Sequence, residues 1–86
     1  MNTVYYFTAP WCGPCKTFGP IVDQSGIPYQ KVNVDEDTEL SAKFGVRNVP
    51  TLIRVNDLGQ EIGGRIVRVR SAEAIKNWYN GEFSIK

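Results

Sequence analysis

The chain contains no histidine. That absence removes Cys-His and Ser-His nucleophile pairs and every metal site that needs an imidazole. Cysteine is scarce as well, with only Cys12 and Cys15 among 86 residues. A structural zinc site would need two more ligands than these thiols supply, so no metal is expected unless two chains share one. No apolar run is long enough to span a bilayer. The first residues lack a basic stretch followed by an apolar stretch and a small-residue cleavage site, so no signal peptide is expected. Neither sign of charge is in excess. Ten Lys and Arg against nine Asp and Glu leave +1, too little to draw the chain to nucleic acid or an anionic membrane. A cytoplasmic setting is the default, and there a disulfide is more often catalytic than structural. The chemistry is left to thiols, carboxylates, lysines, tyrosines and backbone dipoles.

With 42% hydrophobic residues and no repeats, the 86 residues fit one small domain spanning 1–86. Val4 to Phe7 is an apolar, aromatic-rich strand that ends at Thr8-Ala9-Pro10. A helix is predicted from about Cys12 to Gln24, with Phe18, Ile21 and Val22 on one face. Pro20 should kink it rather than end it, and Ser25-Gly26 closes it. Tyr29 to Val34 alternates as a second strand, parallel to the first because a helix connects the two. Asp35-Glu36-Asp37 places acidic groups at the start of a short helix whose inner face holds Leu40 and Phe44, with Gly45 as its C-terminal cap. Thr51–Val55 and Glu61–Ile66 flank the turn-rich segment 56–60 and predict an antiparallel hairpin. Ser71 caps a last helix carrying Ala74, Ile75, Trp78 and Tyr79, which Asn80-Gly81 ends. The order is β-α-β-α-β-β-α: an α/β chain with a four-stranded mixed sheet and three helices on its two faces.

Both cysteines fall in Trp11-Cys12-Gly13-Pro14-Cys15, followed by Lys16, where the first strand gives way to the first helix. Two thiols at that spacing can close into a disulfide and reopen, so the motif is a redox motif first. Unpaired backbone N–H groups and the positive dipole end at a helix N-terminus favour thiolate over thiol at Cys12. Cys15 lies one turn inward as a shielded resolving thiol. Gly13 and Pro14 keep the intervening turn tight, and Pro14 fits the first turn because its missing N–H has no partner there. A purely structural disulfide is the plainer alternative, although so short a loop restrains little unfolded-chain entropy.

The strand Val-Tyr-Tyr-Phe-Thr-Ala-Pro followed by Trp-Cys-Gly-Pro-Cys-Lys resembles the active site of a thioredoxin. Pro20 matches the kinking proline of that family's active-site helix. Lys31-Val32-Asn33-Val34-Asp35 resembles its second central strand, and Phe44 to Thr51 the segment that carries its cis-proline. The likeness covers about two thirds of the chain and implies a minimal thioredoxin fold. It also implies thiol–disulfide exchange on protein disulfides, with Cys12 as nucleophile and Cys15 as resolver in a redox-active disulfide, and no cofactor. By the same resemblance Val49-Pro50 is expected to be cis and to pack beside Cys12, leaving the Val49 backbone to pair with an extended substrate. Trp11, Gly13, Pro14, Val49 and Pro50 would then line the substrate site. The implied partners are disulfide-containing proteins and an electron donor, either an NADPH-dependent thioredoxin reductase or glutathione. The chain is expected to act as a monomer.

Three departures qualify the resemblance. Where thioredoxins place a buried Asp, six residues before the first cysteine, this chain has Tyr6, which is a core residue or a hydrogen-bond donor but a poor base. Lys31 matches the family's buried lysine yet lacks that Asp partner, so it is expected to reach solvent along its stem. Tyr6 and Lys31 are therefore the candidates for tuning the resolving thiol. The chain also starts at the first central strand, and Val67 to Arg70 replaces a glycine-bearing loop, which makes its size and topology those of a glutaredoxin. Gly63-Gly64 faintly resembles the glutathione-binding glycines of that family, though no Asp follows. Arg65, Arg68 and Arg70, with Arg47, form either a solvated edge or a docking site for an acidic partner. A glutaredoxin-like protein recharged by glutathione and a redox-incidental interaction subunit of another enzyme are the alternatives.

Overall fold

A computed structural model describes residues 3–80. The strands are β1 (Thr3–Thr8), β2 (Gln30–Asn33), β3 (Thr51–Val55) and β4 (Glu61–Ile66), and the helices are α1 (Gly13–Ser25), α2 (Thr38–Lys43) and α3 (Ala72–Tyr79). They form one four-stranded sheet in the order β2-β1-β3-β4. β1 and β2 are parallel, with Tyr6 opposite Lys31. β1 and β3 are antiparallel, as are β3 and β4. The strand and helix order is the expected one, and the hairpin boundaries coincide with those read from the sequence.

The period of two along each strand divides the core between the faces of the sheet. Val4 and Tyr6 of β1 and Leu52 of β3 point to one face, where they meet Phe18 and Val22 of α1 and Ile75 and Trp78 of α3. Phe7 and Ile53 point to the other, joined by Val32 and Val55 and covered by Leu40 and Phe44 at α2. Trp78, Phe7, Phe18, Leu52, Ile53 and Ile75 are fully buried. Each such side chain contributes roughly 1.5–3 kcal/mol relative to exposure.

The helix ends follow from local chemistry. Cys12 is the N-cap of α1, and Gly26, at φ 75, closes it in the left-handed region that glycine tolerates. The helix runs through Pro20, whose exposed position lets the chain do without one N–H. Asp37 caps α2 by accepting from the Leu40 N–H, and Ser71 caps α3 by accepting from Ala74. Asn80 is the C-cap of α3, and the expected contribution of Gly81 lies outside the described residues.

One irregularity has a visible cause. The β3–β4 register moves from Leu52 opposite Ile66 to Arg54 opposite Ile62, so β4 carries two extra residues there. Gly63 lies in that stretch at φ 63, and a Cβ on it would stand 2.5 Å from Arg54 Nη2. Arg54 is buried in the central strand. Its Nη1 donates to the carbonyls of Trp78, at 2.8 Å, and Tyr79, and its guanidinium lies over the Trp78 ring. A cation thus meets the negative end of α3. The Trp78 indole N–H donates to the Gly64 carbonyl. Gly63 is therefore explained by the close approach of β4 to Arg54.

Candidate functional site

β1 ends at Thr8, the chain turns through Ala9-Pro10-Trp11, and α1 starts immediately after Cys12. The Cys12 N–H closes that turn on the Ala9 carbonyl at 3.2 Å. Cys12 and Cys15 are joined in a disulfide with Cα atoms 5.3 Å apart. The Cys15 N–H points at Cys12 Sγ from 3.1 Å, so a first-turn donor of α1 is directed at that sulfur. Pro14 supplies no competing N–H in that turn.

The Val49-Pro50 bond is cis. Pro50 is buried, and the Val49 carbonyl oxygen lies 3.6 Å from Cys12 Sγ. In the disulfide that sulfur carries no proton and the pair is a contact; in the dithiol the same geometry suits donation from S–H to O=C. Ala9 packs with both cysteines, and Val34 and Val49 cover them. Cys12 is only 4% exposed and Cys15 6%. The shielding expected of Cys15 extends to Cys12, and in the oxidised state both are enclosed. The added cover comes from Val34, at the end of β2, and Val49, both brought in by the sheet order.

Trp11, Gly13 and Pro14 are exposed around the pair. Trp11 is held in place: its indole N–H donates to Asp35 Oδ2 at 2.9 Å, and the Asp35 N–H is fixed by Asn33 Oδ1 at 2.8 Å. The sequence places Asp35 at the end of the second strand and the start of α2, with no link to Trp11. The run of three acids between β2 and α2 masks its role as the anchor of the tryptophan.

A cavity of about 450 Å³ opens on the inner side of Cys15, lined by Tyr6, Gly19, Asp23, Tyr29 and Lys31 among others. Tyr6 is buried, packs edge-on against Phe18 and Tyr29, and donates to the Cys15 carbonyl at 3.2 Å. Burial pushes its phenol above the ordinary tyrosine range; a hydrogen bond with Thr8 opposes this and the charge of Asp23 adds to it. At neutral pH Tyr6 is therefore a donor. Lys31 is exposed, as expected of a lysine without its carboxylate partner, yet it lies across from Tyr6 on β2 and lines the same cavity. Asp23 and Tyr29, which the sequence does not single out, are joined there. The Tyr29 hydroxyl donates to Asp23 Oδ1, and that bond, with burial second, raises the Tyr29 phenol to about 12.

The arginine group divides. Arg65 is half-buried and tied to Glu61 and to the Phe44 carbonyl at 2.9 Å, so it belongs to the fold. Arg47, Arg68 and Arg70 are exposed. Among the described residues no helix is long and apolar enough to cross a membrane.

Sheet, crossover and disulfide together define an α/β protein with a Cys-x-x-Cys pair at the junction of its first strand and first helix. The Thioredoxin family model matches residues 1–80. Over 53 residues the chain is 42% identical to thioredoxin 1 of Nostoc sp., covering 55% of this chain and 50% of that protein. Over 66 residues it is 38% identical to a Haemophilus influenzae thioredoxin, covering 70% and 61% respectively. A solved mutant thioredoxin from Halobacterium salinarum superposes with a TM-score of 0.81 at 30% identity, covering 94% of this chain and 74% of that one. The chain belongs to the thioredoxin family. It spans about half to three-fifths of the length of these two curated relatives.

Proposed function

We propose that the chain is a thiol–disulfide oxidoreductase that reduces disulfides in proteins. The observation that carries this reading is the Cys12–Cys15 disulfide at the mouth of α1, with the Cys15 N–H directed at Cys12 Sγ. In the dithiol form that donor and the helix dipole stabilise a thiolate at Cys12. The thiolate attacks one sulfur of a substrate disulfide. A Cys12–substrate bond forms, the substrate S–S bond breaks, and the departing sulfur leaves as a thiolate that takes up a proton. Cys15 then loses its proton to solvent in the adjoining cavity and attacks Cys12 Sγ. This releases the second substrate sulfur as a thiolate and leaves Cys12–Cys15 oxidised. The protein gives up two electrons and the substrate gains them, so an outside reductant must restore the dithiol.

Trp11, Gly13, Pro14, Val49 and Pro50 form the substrate rim in this reading, with the Val49 backbone as the pairing edge. Tyr6 and Lys31 shape the wall behind Cys15. An NADPH-dependent thioredoxin reductase is the donor favoured over glutathione, because the Thioredoxin family model matches residues 1–80. A cytoplasmic setting suits a reductant of this kind.

The test is insulin reduction driven in parallel by thioredoxin reductase with NADPH and by glutathione with its own reductase. Turnover in the first arm is expected, with Cys12→Ser inactive and Cys15→Ser trapped as a mixed disulfide with substrate. If both single variants turn over like the parent chain, the reading is wrong. Turnover in the glutathione arm alone would make the protein glutaredoxin-like.

A further inference from the structure

The sheet order brings four connections to the same end of the molecule. β1 and β2 run toward that end and β3 runs away from it, so segments 9–12, 34–37 and 47–50 lie there. β4 runs antiparallel to β3 with Ile66 opposite Leu52, which places 67–70 beside 47–50. Across this edge, in the order β2-β1-β3-β4, the composition changes steadily. Asp35, Glu36 and Asp37 stand at the β2 side, all on the surface. The disulfide and Trp11 follow, then Val49 and Pro50. Beyond them come Val67 and Val69, 44% and 37% exposed, interleaved with Arg68 and Arg70, and Arg47 lies next to the proline loop. Arg65 and Glu61 neutralise one another lower on β4 and leave the edge itself polarised.

Building on the oxidoreductase reading, we propose that this edge recognises an extended disulfide-bearing segment that is itself polarised. Its acidic flank would lie over Arg68 and Arg70, and its basic or neutral flank over residues 35–37. Trp11 and Val49 supply apolar contact at the centre, and Val67 and Val69 continue it between the arginines. With chain direction fixed by pairing to the Val49 backbone, the charges at either end favour one order of acidic and basic residues around the cysteine over its reversal. Opposed fields a few residues apart act chiefly on encounter rate and orientation, and salt screens them. With a net charge of +1 the chain has little overall field, so the preference belongs to this edge rather than to the protein as a whole.

The test uses the reduced chain and three short peptides, each carrying a cysteine in mixed disulfide with thionitrobenzoate, whose release is followed by absorbance. One peptide has Glu residues before the cysteine and Lys residues after it, the second has the reverse, and the third has Ser throughout. At low ionic strength one polarised peptide is expected to react on the order of tenfold faster than its reversal. The gap should close at high salt, and Arg68→Glu with Arg70→Glu should abolish the preference. Equal rates for both polarised peptides, or a preference untouched by the double variant, overturn the assignment while leaving the enzyme reading in place. Failure to react with any peptide, the Ser peptide included, overturns the enzyme reading and the recognition surface together.

Discussion

Tyr6 occupies the wall behind the second cysteine, and its phenol is a buried donor. It satisfies itself on the Cys15 carbonyl and packs on Phe18 and Tyr29. Tyr6→Phe keeps the rings together and removes the hydroxyl's hydrogen bonds to the Cys15 carbonyl and Thr8. Denaturant unfolding should show a loss of about 1 kcal/mol. Tyr6→Ala removes the packing too and should lose about 3–5 kcal/mol. Equal losses for the two would mean that the hydroxyl, not the ring, holds the site wall. Tyr29 makes a separate prediction about alkaline pH. Its folded phenol titrates near 12 because it donates to Asp23, against an ordinary value of 10.0. Between those values the folded state holds a proton that the unfolded chain has released, so stability is present below pH 10 and falls as pH rises toward 12. Tyr29→Phe should flatten that alkaline limb in urea midpoints measured across the window. A limb unchanged by the substitution would place the loss elsewhere.

Among the elements, the β3–β4 hairpin shows how much a pattern reveals and where it stops. Alternation and turn residues locate both strands, and capping chemistry locates the ends of α1 and α3. Arg54 is invisible to such a reading because an arginine in Thr-Leu-Ile-Arg-Val passes for the solvent-facing member of an alternating strand. β3 is central, however, with all five residues buried, so the cation had to find partners inside. An arginine in a strand flanked on both sides is the sign that could have revealed it. The glycines opposite it are legible as a pair, but their cause is not. The Trp11–Asp35 bond joins residues 24 apart and likewise depends on β2 lying beside β1, which local pattern cannot supply. Gly63→Ala tests the account of the hairpin. The new methyl meets a guanidinium pinned to the end of α3, at a backbone φ that alanine dislikes. A loss of about 3 kcal/mol is expected, combining roughly 1–2 for the left-handed backbone with a weakened charged hydrogen bond. In an Arg54→Met background the same change should cost only the backbone part. An unchanged cost there would mean that Arg54 is not what the glycine accommodates.

At the scale of the whole molecule, the composition conceals an arrangement that only the sheet order creates. Ten cations and nine anions nearly cancel along the sequence, yet topology sets Asp35, Glu36 and Asp37 to one side of the cysteine pair and Arg47, Arg68 and Arg70 to the other. The same topology places Cys12 directly after β1, one of two strands hydrogen-bonded on both sides. β2 and β4 are edges, and β4 carries the register shift around its glycines. Backbone amides paired within β1 and β3 should therefore exchange with solvent only through global unfolding. Those of residues 62–65 should exchange through local opening, on the order of a hundredfold faster. Native-state hydrogen exchange measures this directly. The result bears on function because the geometry at Cys12 is set by the strand that delivers it and by the cis-proline loop feeding β3. Fast exchange along β1, at the rate of β4, would mean that the sulfur is presented by a mobile strand and that the packing of Ala9, Val34 and Val49 around it does not fix its position.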